Sequence, residues 1–412
     1  MKTTELAKLI GFSMVQAVRV LVDRVGDLFG ASLPYLPAKA LEKTLLNELI
    51  DQHSVPSSTG EAKALRLPLS AIKVRDVKSV SSNCQNLIID VQQQVAQNSA
   101  ISGENSLFLK LPMNSLPTHW FFALIGSWQL ESYFCRHIAL RIPFRTPETF
   151  ATHAKGTRFF IAQENLLDDP SVTLFTNLDM QQGPSLDLVY RCLDTFAKLH
   201  ASHFDLNADQ REQILPLKYH PFLGKQTGRV SQALNTYALQ PCIKKAPGRI
   251  PKTIEDAYKK SLLHWEQLLA YWFSGPLCLL HGDSHLGNFF VSGDEMGMLD
   301  FQAVHWGRGT RDVQYFLTDS LPSKTLADSE HELIKYYVER RAHHGAPIDL
   351  DDCWHEYRGY AYHSLMTIVV SIGFGALNEE QDNLMLELLD RSVAAAVRLD
   401  YPEWLESFLA AK

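Results

Sequence analysis

Three residues fall at a spacing that could do chemistry: Asp283, Asn288 and Asp300, in the stretch CLLHGDSHLGNFFVSGDEMGMLDFQAVHWGRGTRDVQYFL that covers residues 278–317. Asp283 and Asn288 share one polar loop after the apolar run 277–280, which reads as a short buried strand. Two more apolar runs follow, 289–291 and 296–299. Ser292-Gly293-Asp294-Glu295 lies between them with turn composition, so the pair reads as a β-hairpin. Asp300 ends the returning strand. A hairpin brings its two ends together, so Asn288 and Asp300 can approach from opposite strands. One amide oxygen and one carboxylate suit Mg²⁺, which keeps waters and substrate phosphates as its other ligands. Asp283 is then free to orient or deprotonate an attacking hydroxyl. Those are the parts of a phosphoryl-transfer centre.

A second chemistry fits some of the same residues. His281, Asp283 and His285 alternate as H-x-D-x-H, which could hold a transition metal for hydrolysis. An upstream DxH on a strand, which a metallohydrolase would add, is not evident. His281 otherwise reads as a loop-holding residue, and Asp312 as a cap at the start of the next helix.

His281-x-Asp283-x-x-x-x-Asn288, with Asp300-Phe301-Gln302 twelve residues after Asn288, resembles the catalytic loop and metal motif of the aminoglycoside phosphotransferase and choline kinase superfamily. The wording HGDSHLGN…LDFQ…GRGTRDVQYFL looks closest to its ecdysteroid-kinase-like branch. The resemblance implies an α+β, two-lobed protein-kinase-like fold, with a small β-rich N-lobe and a mostly helical C-lobe. It implies transfer of the γ-phosphoryl of ATP, with Mg²⁺, to a hydroxyl of a small molecule. Asp283 would be catalytic, Asn288 and Asp300 metal ligands, and His281 and Asp312 structural supports. The alternative within the same fold is a nucleotide-binding pseudoenzyme.

Composition sets the bounds on these readings. A chain of 412 residues suits two lobes plus appendages. It is 46% hydrophobic and 21% charged, the balance of a globular protein with a core. A net charge of −7 argues against a nucleic-acid binder. Six scattered cysteines form no CxxC, so reduced thiols in a cytoplasmic compartment are expected.

Residues 1–65 match the superfamily pattern poorly and read as a helical N-terminal extension. Apolar positions in 6–29 follow a helical period, interrupted by Lys8, Arg19, Asp23, Arg24 and Asp27. The charges exclude a membrane span, and the segment lacks a signal-peptide cleavage pattern. The helix is expected to pack on the body, the alternative being a membrane-surface or dimer helix. A second helix is expected over 38–52.

The N-lobe is expected over 66–166. Runs 72–79 and 85–91 read as antiparallel strands. In the resembling family the loop between them covers the nucleotide phosphates. Here it carries Ser81, Ser82 and Asn83 and no glycine, which leaves hydroxyl, amide and backbone donors. Lys110 lies in the apolar strand 106–111, where a charge needs a partner. Glu131, on a helix expected over 118–139, resembles the glutamate that holds this lysine in kinase-like folds, and Glu148 is its competitor. Strand 158–162 leads to a hinge, where Glu164 and Leu166 would offer backbone groups to adenine.

The C-lobe, 167–412, reads as helical. Helices are expected over 185–202 and 252–273, with His200 in the core. Residues 224–251 read as a loop with a short helix that could form a substrate lid. Trp354, Tyr357, Tyr360, Ala361 and Ser364 fall at helical spacing, as core or as an aromatic wall for an apolar acceptor. The run 364–374 is too short to cross a bilayer.

Overall fold

In a computed structural model, residues 3–30, 33–34, 37–56, 69–75, 84–93, 104–224, 227–375 and 379–411 are described. The chain divides into two compact units, Met1–Val172 and Thr173–Lys412. The first holds helices α1 (Thr3–Leu28), α2 (Pro37–Ala40), α3 (Lys43–His53), α4 (Leu116–Ile125) and α5 (Ser127–His137). Its strands are β1 (Leu69–Arg75), β2 (Gln85–Gln93), β3 (Glu104–Leu111), β4 (Thr149–Lys155) and β5 (Arg158–Glu164). They form one antiparallel sheet in the order β1-β2-β3-β5-β4.

This sheet fixes the position of Lys110. Leu107, Leu109 and Leu111 alternate on β3 and are buried with Ile89, Val91, Phe160 and Ala162. Lys110, with the opposite parity, is turned to the other face and pairs in register with Asn86 and Ile161. Leu46, Leu49 and Ile50 of α3 join the apolar core beneath the sheet. The segment expected as an extension therefore shares this core. Asp23 of α1 accepts from the backbone N–H of Thr157, and Arg24 donates to the Asn114 carbonyl. The helix is amphipathic in burial, yet its outer face is apolar, with Met14, Val18 and Val22 exposed.

The helix expected over 118–139 is two helices. Gly126 at φ +73 caps α4 and starts α5, a left-handed conformation that glycine adopts without Cβ strain.

The second unit begins in β6 (Val172–Leu174) and runs through α6 (Asn177–Gln182), α7 (Leu186–Ser202), α8 (Ala208–Ile214), α9 (Thr227–Lys245), α10 (Lys252–Leu263) and α11 (Trp265–Trp272). Strands β7 (Cys278–Leu280), β8 (Phe289–Ser292), β9 (Glu295–Met298) and β10 (His305–Gly307) follow. It ends in α12 (Thr310–Ser320), α13 (Ser323–His343), α14 (Leu350–Phe374), α15 (Glu379–Arg398) and α16 (Tyr401–Ala410). The mixed α+β class, with a small antiparallel-sheet unit and a mostly helical remainder, is the class expected.

Two further expectations need correction. Residues 224–251 are not a loop with a short helix: α9 spans Thr227–Lys245 despite Pro241. It buries Val230, Ala233, Ala238 and Leu239. A Cβ on Gly373 of α14 would lie 2.6 Å from the Ala238 carbonyl oxygen, so glycine is what lets the two backbones close. The expected helix 252–273 breaks at His264, which leaves Leu263 exposed and buries Trp265 and Trp272. Among the described residues no helix is long and apolar enough to cross a membrane.

Candidate active site

Strand β7 is wholly buried and pairs antiparallel with β10, which fixes the start of the polar loop at His281. The loop is pinned from below by Asp312, fully buried in the first turn of α12. Its Oδ2 accepts from the His281 backbone N–H at 2.6 Å and its Oδ1 from Gly282 N–H at 3.0 Å. Ser284 Oγ donates to the Asp312 carbonyl at 2.9 Å. His200 Nε2 lies 3.3 Å from Asp312 Oδ2, and His200 Nδ1 lies 2.8 Å from the Tyr337 hydroxyl. Burial pushes the Asp312 carboxyl up, but His200 and Arg311 outweigh it and leave the group below the usual carboxylate range. Burial holds His200 below its ordinary value, so the ring is a neutral donor to an ionised Asp312. Arg311, itself buried, lies 3.4 Å from the Gly282 carbonyl and 2.5 Å from His363 Nε2. The loop is thus fixed by charge-assisted bonds that water does not reach.

His281 serves the loop with both ring nitrogens. Nε2 bonds the Leu299 carbonyl at 2.9 Å, and Nδ1 accepts from Asp283 N–H at 3.3 Å. Neither nitrogen is left for a metal, which removes His281 from the alternative H-x-D-x-H cluster. Among the described residues no group of three or more His, Cys, Asp or Glu is placed to hold a metal ion. His285 Nε2 stands 3.9 Å from Asp283 Oδ1.

Asp283 presents a partly exposed carboxylate at the head of the loop. Gln302 Nε2 donates to its Oδ2 at 3.2 Å, and the Tyr315 hydroxyl lies 3.5 Å from its Oδ1. The two donors fix the plane of the carboxylate and leave lone pairs directed outward. Asn288 is buried at the end of a short 3₁₀ turn, Leu286–Asn288. Its Nδ2 donates to the Asp283 carbonyl at 2.7 Å. That bond uses the amide nitrogen and leaves the amide oxygen as an acceptor. Strands β8 and β9 pair Phe289 with Met298, and Leu299 N–H donates to the Asn288 carbonyl at 2.9 Å. Asp300 follows at once, with φ +63. A non-glycine residue in the left-handed region costs about 1–3 kcal/mol, and such residues cluster where a side chain must be aimed. An amide oxygen and a carboxylate at the mouth of one hairpin fit an oxygen-preferring dication.

In the first unit, Lys110 Nζ lies 2.5 Å from Glu131 Oε1, both buried. Glu131 is thus paired with the strand lysine. Glu164 pairs with Arg145 at 3.2 Å, and its backbone N–H donates to the Glu148 carbonyl. Leu166 opens the short turn Leu166–Asp168, capped by the Asn165 side chain. Ser81, Ser82 and Asn83 lie outside the described residues.

The sequence reading missed three site groups. Tyr315 and Asp319 sit on α12 one turn and two turns beyond Asp312; Tyr315 lies within the motif wording without a role assigned there, and Asp319 lies just past its end. Gln302 was legible only as part of Asp-Phe-Gln. Asp319 is buried, its Oδ1 has no hydrogen-bond partner among the described residues, and its pKa is pushed up to about 8 by burial and by the Asp283 charge. Of the residues read as core or as an aromatic wall, Tyr357, Tyr360, Ala361 and Ser364 are buried core, with Ser364 Oγ donating to Gln314 Oε1 at 2.5 Å, and Trp354 is half-buried. Arg308 is paired, its Nη1 donating to Glu356 Oε1 at 2.5 Å and its Nε to the Tyr271 carbonyl.

Residues 142–345 match the model of the ecdysteroid kinase-like family, just under half of the chain and all of the polar loop. The resemblance read from the motifs is thereby met. No curated protein matches the chain. Among solved structures, a choline/ethanolamine kinase family protein from Mesorhizobium loti is 15% identical, with 84% of this chain and 94% of that chain covered and a TM-score of 0.43. A choline kinase from Cryptosporidium parvum is 11% identical, covering 90% and 97%, with a TM-score of 0.47. An aminoglycoside phosphotransferase from Alicyclobacillus acidocaldarius is 13% identical, covering 85% and 94%, with a TM-score of 0.44. No residue assignment follows from similarity at that level.

Proposed function

We propose, for a chain whose residues 142–345 match the ecdysteroid kinase-like family, that it is a small-molecule kinase moving the γ-phosphoryl of ATP to a hydroxyl. The observation that carries the reading is the loop 281–288: a carboxylate oriented by two donors, beside a buried Asn288 whose amide nitrogen is spent on the Asp283 carbonyl, on a backbone anchored by a buried aspartate. Asp283 would hold the acceptor hydroxyl and take its proton as the oxygen–phosphorus bond forms. Gln302, at Oδ2, and Tyr315, at Oδ1, would keep the carboxylate from rotating away. Asn288 and Asp300 would hold Mg²⁺, which when bound neutralises charge on the nucleotide phosphates. Lys110, fixed by Glu131, would orient those phosphates. Glu164 and Leu166 are proposed to meet the adenine through backbone groups. Catalysis of this kind rests on positioning and electrostatics rather than on a covalent intermediate.

The test is a thermal-shift titration with ATP, with and without Mg²⁺, on wild type and Asp300→Ala, joined to turnover of Asp283→Ala. A ligand that binds the folded state alone raises apparent stability by mass action. The expected result is a Mg²⁺-dependent shift in wild type that Asp300→Ala loses. Asp283→Ala should keep the shift and lose turnover. Absence of a shift in wild type, or turnover kept by Asp283→Ala, overturns the assignment. A wild-type shift without turnover across a panel of alcohols would identify a nucleotide-binding pseudoenzyme instead.

A further inference from the structure

A cavity lies within the helical unit, with a volume of about 260 Å³, room for roughly eight waters. None of Asp283, Asn288 and Asp300 lines it. Its lining includes Arg341 of α13, Arg308 after β10, Glu356 of α14 and Tyr271 of α11. The lining also carries Asp352, which is exposed, so two arginines face two carboxylates; among the buried groups, however, one guanidinium is left over. Arg308 and Glu356 form one ion pair at 2.5 Å, and the remaining Arg308 donors reach the Tyr271 carbonyl and Ser274 Oγ. Arg341 has no such partner. It is only 3% exposed, yet its Nε and Nη2 lack acceptors among the described residues.

The guanidinium is held in place by apolar and aromatic surface. Its Cζ stands 4.9 Å from the centre of the Phe204 ring and 5.9 Å from that of Tyr337. Ring faces stabilise a buried cation only in part, and the charge with its two unpaired donors still lacks an anion. Glu356 Oε2, also on the lining, is a buried acceptor with no donor. The cavity therefore offers a planar fork for an oxyanion and one acceptor for a ligand O–H or N–H. Arginine's fork matches carboxylate and phosphate alike.

We propose that this cavity is a binding site for a small oxyanion, a carboxylate or phosphate group carrying one hydrogen-bond donor, held by Arg341 and by Glu356 Oε2. The site is separate from the proposed phosphotransfer centre and does not depend on that reading.

The test uses calorimetric titration of the full chain with dihydrogen phosphate and, in a second arm, with glycolate. Both carry an oxyanion and an O–H. Three variants accompany wild type: Arg341→Met removes the fork, Arg341→Lys keeps charge without it, and Ile348→Trp fills the cavity from a half-buried lining position. Saturable binding of at least one probe is expected, and which probe binds tells phosphate from carboxylate. Affinity should fall tenfold or more in Arg341→Met and in Ile348→Trp, and partially in Arg341→Lys. If Arg341→Met does not fold, Ile348→Trp, with Arg341 intact, decides alone. The proposal is overturned if neither probe binds at tens of millimolar, or if Ile348→Trp binds as wild type does.

Discussion

At the scale of single residues, Asp319 is the group with the clearest signature in pH. Its carboxyl is buried in α12; desolvation and the negative charge of Asp283 raise it to about 8, while Arg391 and the Tyr315 hydroxyl pull the other way. The ordinary value is 3.8. A group with a raised folded pKa contributes stability that is full below the unfolded value and is lost as pH rises through the folded one. The stability contributed by Asp319 should therefore decline from about pH 4 to about pH 8 and then stay level. Asp319→Asn keeps the shape and removes the titration. The melting temperature of wild type minus that of the variant should fall across that window and flatten above it, reflecting a stability change on the order of a few kcal/mol. Melting curves of both proteins at intervals from pH 4 to 9 provide the check. A difference that does not change with pH would mean that Asp319 is ionised throughout.

At the scale of elements, the loop 281–288 depends on one backbone conformation. Gly282 sits at φ +85, and a Cβ there would lie 2.1 Å from the Ala303 carbonyl oxygen. Gly293, in the turn of the β8–β9 hairpin, has φ +58 with open space around it. Gly293→Ala should therefore cost only the conformational penalty, about 1 kcal/mol. Gly282→Ala should cost about 3 kcal/mol or more and lower turnover sharply, since the clash is with backbone that cannot rotate away. Urea unfolding and kcat of the two variants make the comparison, and equal losses would sink the claim that the loop is clamped against Ala303. The hairpin itself was legible because turn residues separate two apolar runs, and the Lys110–Glu131 pair because a charge in a buried strand needs a partner. Other elements were hidden for physical reasons. Strand β4, TFATHAK, lacks apolar alternation and owes its form to pairing with β5. Helix α9 carries Gly228 and Pro241, punctuation that reads as loop, and packing against α14 overrides it. That Tyr315 and Asp319 turn toward Asp283 depends on how α12 is rotated by its neighbours, which local sequence does not encode.

At the scale of the whole molecule, burial itself becomes measurable through sulfur. All six cysteines are free and buried, two in the first unit and four in the second. Their scatter in the sequence argued for reduced thiols, but their inertness follows only from where each unit closes its core. Burial pushes the thiol of Cys242 up to about 11 and those of Cys278 and Cys353 up to about 12, with that of Cys192 higher still. Thiolate is the reacting form, so at neutral pH these sulfurs are suppressed twice, by access and by protonation. Ellman's reagent should label the native protein several orders of magnitude more slowly than free cysteine and should reach all six sulfurs in denaturant. Modification must then wait for opening, and the free energy of opening differs across a structure. Cys278 in β7 and Cys353 in α14 lie in the supports of the polar loop and of the Arg341 cavity respectively. Mass spectrometry of partially labelled protein should find both among the last sites modified. Early labelling of Cys278 would show that strand β7 opens locally, and that the rigid base assigned to Asp283 is not rigid.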